Sequence, residues 1–155
     1  MGFYDWMLAL HLLAAFSVAA GLVLFSVLAV AGQRAGTLEQ ARSLFRLAPI
    51  GNPLIGVGMG LTLLLGVVLA IDSDEFQLWD VWVIAAIVLW VLLGWVGQRT
   101  GAYYDEVQKL AASGDAGVEA EALTRLRAPT GVRWQLALVA VFLLIVLDMI
   151  LKPWA

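Results

Sequence analysis

The chain holds one histidine, His11, and it lies inside an uncharged apolar run, Trp6–Ala31. An imidazole in that setting can carry a proton, share a hydrogen bond, or ligate haem iron or a soft metal. A second ionisable group, Asp148, interrupts the last apolar run, Trp134–Leu151. An ionisable side chain at the centre of a membrane span costs about 2.5–3.5 kcal/mol on insertion scales, so such groups usually face a bundle interior and find a partner. The two are expected at similar depth, which suggests a His11–Asp148 contact. Each has a simpler alternative. Asp148 can pair with Lys152 one turn on, and His11 can hydrogen-bond a neighbouring helix. Met7 sits four residues before His11 on the same helix face, Met149 lies at similar depth in the last run, and Met59 lies deeper in the second. A haem b with His/Met axial ligation, or a Cu(I) site of imidazole and thioether, would draw on His11, Met7 and Met149. A lone histidine excludes bis-histidine ligation within one chain. No Ser/His/Asp set, intramembrane carboxylate pair or phosphate loop is visible, so acyl and phosphoryl transfer have no support.

The elements that must position these groups are membrane spans. The chain is 63% hydrophobic and 14% charged, against about 25% charged in a soluble domain. Apolar runs at about 6–31, 53–71, 80–98 and 133–152 are each long enough to cross a bilayer, which takes about 20 helical residues. None alternates with the period of a barrel strand. The expected fold is therefore all-α, a single four-helix transmembrane bundle. The first run is too long for a cleavable signal and is expected to act as an anchor. The chain has no cysteine, which excludes disulfides, thiolate metal sites and thioether-linked haem.

Charge sets the expected orientation. The links 32–52 and 99–132, with Arg133 at the edge of the last span, carry every Lys and Arg except Lys152. The link 72–79 is acidic, with Asp72, Asp74 and Glu75. Basic loops stay in the cytoplasm, so both termini are expected outside. Six tryptophans (Trp6, Trp79, Trp82, Trp95, Trp134 and Trp154) fall near span ends, where indole prefers the interface. The balanced charges of the second link argue for a solvated face and against nucleic acid.

Within the first link, Thr37 and Gln40 match a capping box, with Gln40 returning to the Thr37 N–H. They open a short amphipathic helix along the membrane surface, ended by Pro49. The second link reads as two helical pieces, 102–112 and 118–126, broken at Gly114. Asn52 and Pro53 are expected to start the second span. Gly56 and Gly60 form a GxxxG there, and Ala15/Ala19 and Ser17/Gly21 give the first span two small-residue ridges. Small residues let helix backbones approach closely, so the first two spans are expected to pack on each other. Ser17, Ser26 and Thr62 are expected to bond back to their own helices.

A histidine early in the first span (Leu10-His11-Leu12-Leu13), a Gly-rich second span ending in an aliphatic run, and Leu151-Lys152-Pro153 near the end form a recognisable pattern. It resembles small bacterial integral membrane proteins related to the membrane domain of CopD copper-resistance proteins and, more distantly, HemJ-type protoporphyrinogen oxidases. The resemblance implies a bacterial inner membrane, and for the HemJ-like members it implies haem binding at the position matched by His11. From the residues themselves the leading expectation is a non-catalytic membrane protein, an accessory or structural subunit that packs as a homo-oligomer or in a larger complex within the lipid bilayer. The alternative is a haem- or copper-handling protein built on His11.

Overall fold

The computed structural model describes residues 2–72, 77 and 79–151. Among these residues the fold is all-helical: α1 (Phe3–Gln33), α2 (Leu38–Phe45), α3 (Ala48–Asp72), α4 (Val81–Ala111), α5 (Ala116–Arg127) and α6 (Pro129–Leu151). The long helices α1, α3, α4 and α6 are the four that are long and apolar enough to cross a membrane. The chain is thus a multi-pass membrane protein. Its short helices α2 and α5 lie together at one end of the bundle, the basic end.

Local chemistry explains most boundaries. Asp5 accepts from the Gly2 N–H at 2.8 Å and satisfies one free donor at the start of α1. Thr37 caps α2 through the Gln40 N–H. The return bond differs from the sequence expectation: the Gln40 side chain accepts from Gly36 N–H at 2.9 Å, one residue earlier than Thr37. Gly114 takes φ +74° in the turn between α4 and α5, a left-handed conformation that glycine adopts without steric cost. Asp115 then caps α5, accepting from Gly117 and Val118 N–H. Ala128 is extended, with ψ 145°, because a following proline disfavours the helical region. Pro129 opens α6 at the position where its missing N–H costs nothing.

Two boundaries correct the sequence reading. Helix α3 starts at Ala48 and not at Asn52, so Pro49 lies in its first turn and Pro53 lies inside the helix. Helix α4 runs unbroken through Arg99 to Ala111, where a span and a separate cytoplasmic piece were expected. The change from apolar to polar at Gln98–Arg99 alters the solvent and not the backbone preference, and Gly101 costs only about 1 kcal/mol in a helix.

The long helices pack as two antiparallel pairs, α1 on α3 and α4 on α6, joined mainly along α1 and α6. The shared core is Val18 and Leu22 of α1, Leu93 and Val96 of α4, and Leu138 and Val141 of α6. Ile55 and Met59 of α3 reach it from the side. Helix α3 is the peripheral member: 6% of its most apolar stretch is buried, against 33% for α1.

The α1–α3 seam forms as expected, but through other glycines. A Cβ on Gly58 would lie 3.1 Å from the Ala14 carbonyl and 3.2 Å from Val18 N. A Cβ on Gly21 would lie 2.5 Å from Ile55, and one on Gly51 would meet Phe25 at 2.7 Å. Gly56 and Gly60, the GxxxG pair, have nothing within 4 Å of such a Cβ and face away from α1. Gly21 of the Ser17/Gly21 ridge is buried, while Ala15 and Ala19 are half-buried. Ser17 does not bond back to its own helix; it donates to the Leu54 carbonyl of α3 at 3.0 Å.

Helix α2 also differs from expectation. Its apolar side faces protein and not lipid: Ala41 is 1% exposed and joins Ala35, Val107 and Leu126 in a second core at the basic end. The seam geometry yields a paired test. Gly58→Leu should destabilise the bundle by about 1–3 kcal/mol through overpacking against backbone. Gly56→Leu should leave the stability of the isolated chain nearly unchanged. Thermal unfolding of both variants in detergent checks this.

Candidate functional site

His11 projects from α1 into the seam with α3. Its Cε1 lies 3.2 Å, and its Nδ1 3.5 Å, from the point a Cβ on Gly66 would occupy. The row Gly58–Thr62–Gly66, spaced at i, i+4, i+8, therefore accommodates Val18 at one end and the imidazole at the other. The ring also stands beside the Thr62 backbone. Its Nδ1 is enclosed with no hydrogen-bond partner, and so is Thr62 Oγ1. Thr62 thus fails to make the bond to its own helix expected of it, whereas Ser26 makes one, to Leu22 at 2.7 Å.

Asp148 is half-buried, and its Oδ2 is enclosed without a partner among the described residues. No ion pair joins it to His11, so the structure places His11 against α3 and does not bring the proposed pair together. Lys152, the other expected partner of Asp148, lies outside the described residues. Met7 and Met149 are half-buried. Met59 is occupied in the core, with its Cε 4.0 Å from a Cβ position on Gly94. Among the described residues no group of three or more His, Cys, Asp or Glu side chains is placed to hold a metal ion.

Comparison with protein-family models, curated proteins and solved structures finds no match for this chain. The site must be read from its own geometry.

That geometry includes a polar link absent from the sequence reading. Gln135 on α6 is 3% exposed. Its amide donates to the Leu22 carbonyl at 3.2 Å and to Ser26 Oγ at 3.1 Å, both on α1. The signal was its spacing: Gly131, Gln135 and Leu138 share the buried face of α6. The neighbouring Arg133 and Trp134 mark a membrane interface, which disguised an interior position one residue further on.

Two arginines also reach across the basic end. Arg127 of α5 donates to the Ala35 carbonyl at 2.9 and 3.0 Å and to the Gly36 carbonyl at 2.9 Å. Arg42 of α2 donates to the Ala111 carbonyl at the end of α4 and to Glu119 of α5 at 2.8 Å. Beside Arg42 lies a cavity of about 320 Å³, lined also by Ala41, Phe45, Val107 and Leu126.

The His11–Gly66 contact gives a direct test of the site. Gly66→Val should cost about 1–3 kcal/mol in the unaltered chain, and much less in a His11→Ala background. A double-mutant cycle on unfolding in detergent reads the coupling.

Proposed function

We propose that this chain is a non-catalytic integral membrane protein, a structural or accessory subunit that contributes helices to a larger membrane assembly. The observation that carries this reading is the free face of α3. The helix packs on α1 along one side, and its opposite side presents Gly56 and Gly60 bare, among exposed Val57, Leu61 and Leu64. Lipid gains nothing from a glycine row, whereas a second transmembrane helix gains close backbone contact from it. The positive-inside rule supports placing the basic end in the cytoplasm and both termini outside. The resemblance to CopD and HemJ-type membrane domains supports a bacterial inner membrane.

The absence of cysteine makes this reading easy to test. A single Val57→Cys chain, cross-linked in native membranes, should give a band of about twice the monomer mass or a larger hetero-adduct. Leu13→Cys, equally exposed on α1, should not. Adding Gly60→Leu should abolish the Val57→Cys product. A Val57→Cys chain that stays monomeric under conditions that cross-link a positive control would sink the proposal.

A second reading rests on one atom. His11 Nδ1 is enclosed and unpartnered in the seam, which suits a ligand of a soft ion. The imidazole, with a thioether from Met7, would hold Cu(I), and such a site supplies metal carriage. A haem fits the seam poorly. The ring already lies against Gly66, and a macrocycle would have to part α1 from α3. In this reading protein purified in mild detergent should carry copper that His11→Ala removes, with no Soret band. A metal-free preparation that cannot be loaded with Cu(I) rules it out.

A further inference from the structure

The cavity of about 320 Å³ at the basic end is walled by three elements, α2, α4 and the end of α5. Alanines make the space. Ala41 is 1% exposed and Ala111 7%, and a methyl group cannot reach across the gap between the helices that carry them. Phe45, Val107 and Leu126 supply the rest of the apolar wall. The volume lies at the small end of the roughly 300–1,000 Å³ found for small-molecule sites.

The polar part of the wall carries one sign of charge. Arg42, Arg46 and Gln108 line the cavity, and no Asp or Glu lines it. Arg46 continues the helical backbone of α2, so it shares a face with Arg42, four residues earlier. The fold orients Arg42. Its Nη2 donates both to the Ala111 carbonyl and to Glu119. Those bonds cover the carbonyl at the end of α4 that would repel an anion, and they leave the Nε and Nη1 donors for a ligand. Arg46 brings a second guanidinium to the same cavity.

The cavity also lies at a defined height. Arg99 ends the apolar stretch of α4, and Val107 and Ala111 follow it by eight and twelve residues. The helix is unbroken between them. At about 1.5 Å per residue they stand roughly 12–18 Å beyond Arg99. Counted from Val81, about 20 residues of α4 already cross the hydrocarbon. An occupant therefore arrives from water and not from the acyl region of the bilayer.

We propose that this cavity binds a small water-borne organic anion, a carboxylate on a compact apolar body. The body lies against Phe45, Val107 and Leu126. The carboxylate meets Arg46 and the open donors of Arg42, whose forked N–H groups match two carboxylate oxygens. Gln108 offers a neutral hydrogen bond beside them. The proposal rests neither on the orientation of the chain nor on the assembly proposed above.

The test titrates the full chain in detergent with three probes of one skeleton, 3-phenylpropionate, 3-phenylpropanol and 3-phenylpropylamine, by calorimetry against empty micelles. The carboxylate should bind at least about fivefold more tightly than either other probe, as expected of a charge-assisted hydrogen bond at a half-open site. Arg46 enters none of the ion pairs among the described residues, so Arg46→Gln leaves the Arg42 contacts in place and should weaken the carboxylate about fivefold. Arg34→Gln, which removes an exposed charge outside the cavity at the same end, should leave its affinity unchanged. Neither acetate nor added phosphatidylglycerol should compete. Absence of carboxylate binding, or equal binding of the alcohol, overturns the proposal without recourse to a variant. An equal loss in Arg34→Gln reduces the effect to net charge and overturns the site. Displacement by acetate makes it a simple anion site, and displacement by phosphatidylglycerol makes it a lipid site; either overturns the assignment.

Discussion

The structure depends on how closely the backbones of α1 and α3 approach. In a bilayer the hydrophobic effect does not drive one apolar helix onto another, because lipid is as apolar as either. Contact must come from dispersion, which fades within an ångström of extra separation. Gly58 meets this demand: a Cβ there would touch the Ala14 carbonyl and Val18 N, neither of which can swing aside. Gly21 and Gly51 serve the same end against Ile55 and Phe25. The antiparallel register that follows, Gly21 to Ile55, Val18 to Gly58 and His11 to Gly66, fixes where the only imidazole can point.

The two helix pairs are held together by a different device at the basic end. Exposed salt bridges contribute about 0–1 kcal/mol each, so Arg42–Glu119 and Arg125–Glu106 do little by strength alone. The carbonyl contacts matter more for geometry. Arg127 belongs to the link between α4 and α6 yet holds the turn after α1. Arg42 belongs to the link between α1 and α3 yet holds the end of α4. Each link therefore clamps the other pair, and each arginine answers carbonyls that lack a helical partner. Alanines permit this crowding: Ala41 and Ala122 are buried where α2 and α5 press on their neighbours. Beyond this clamp the pairs meet through the core of α1, α4 and α6, on which Ile55 and Met59 of α3 pack, and through Gln135.

Helix number and rough extent were legible because span length and apolarity are one-dimensional properties of a sequence. The packing of the first span on the second was legible too, since both are rich in small residues. Which glycines would carry that packing was not. Gly56/Gly60 and Gly51/Gly58 present equally good spacings, and only the rotation of α3, set by Ile55, Phe25 and the Ser17–Leu54 bond, chooses between them. That no ion pair joins His11 to Asp148 has the same reason. Similar depth is readable from a sequence, but the direction of a side chain around a helix axis depends on its neighbours. Gln135 was missed because its sequence neighbours are interfacial, although its spacing from Gly131 and Leu138 already marked it as interior.

The distribution of polar groups along the bundle separates a finished region from an unfinished one. Towards the basic end each buried polar side chain of the spans is satisfied: Gln135 on α1, Ser26 on Leu22, Thr100 on Val96, and Ser17 across to Leu54 at mid-depth. Towards the other end, His11 Nδ1, Thr62 Oγ1 and Asp148 Oδ2 are enclosed without partners among the described residues. The same region is where α1 buries nothing before Ala14 and α6 nothing after Val141. An unmet hydrogen bond in hydrocarbon costs several kcal/mol. Among the described residues the polar groups are satisfied at one end and these three have no partner at the other. That imbalance supports a bundle built to be completed from outside, by a neighbouring helix against α3 or by a ligand at His11.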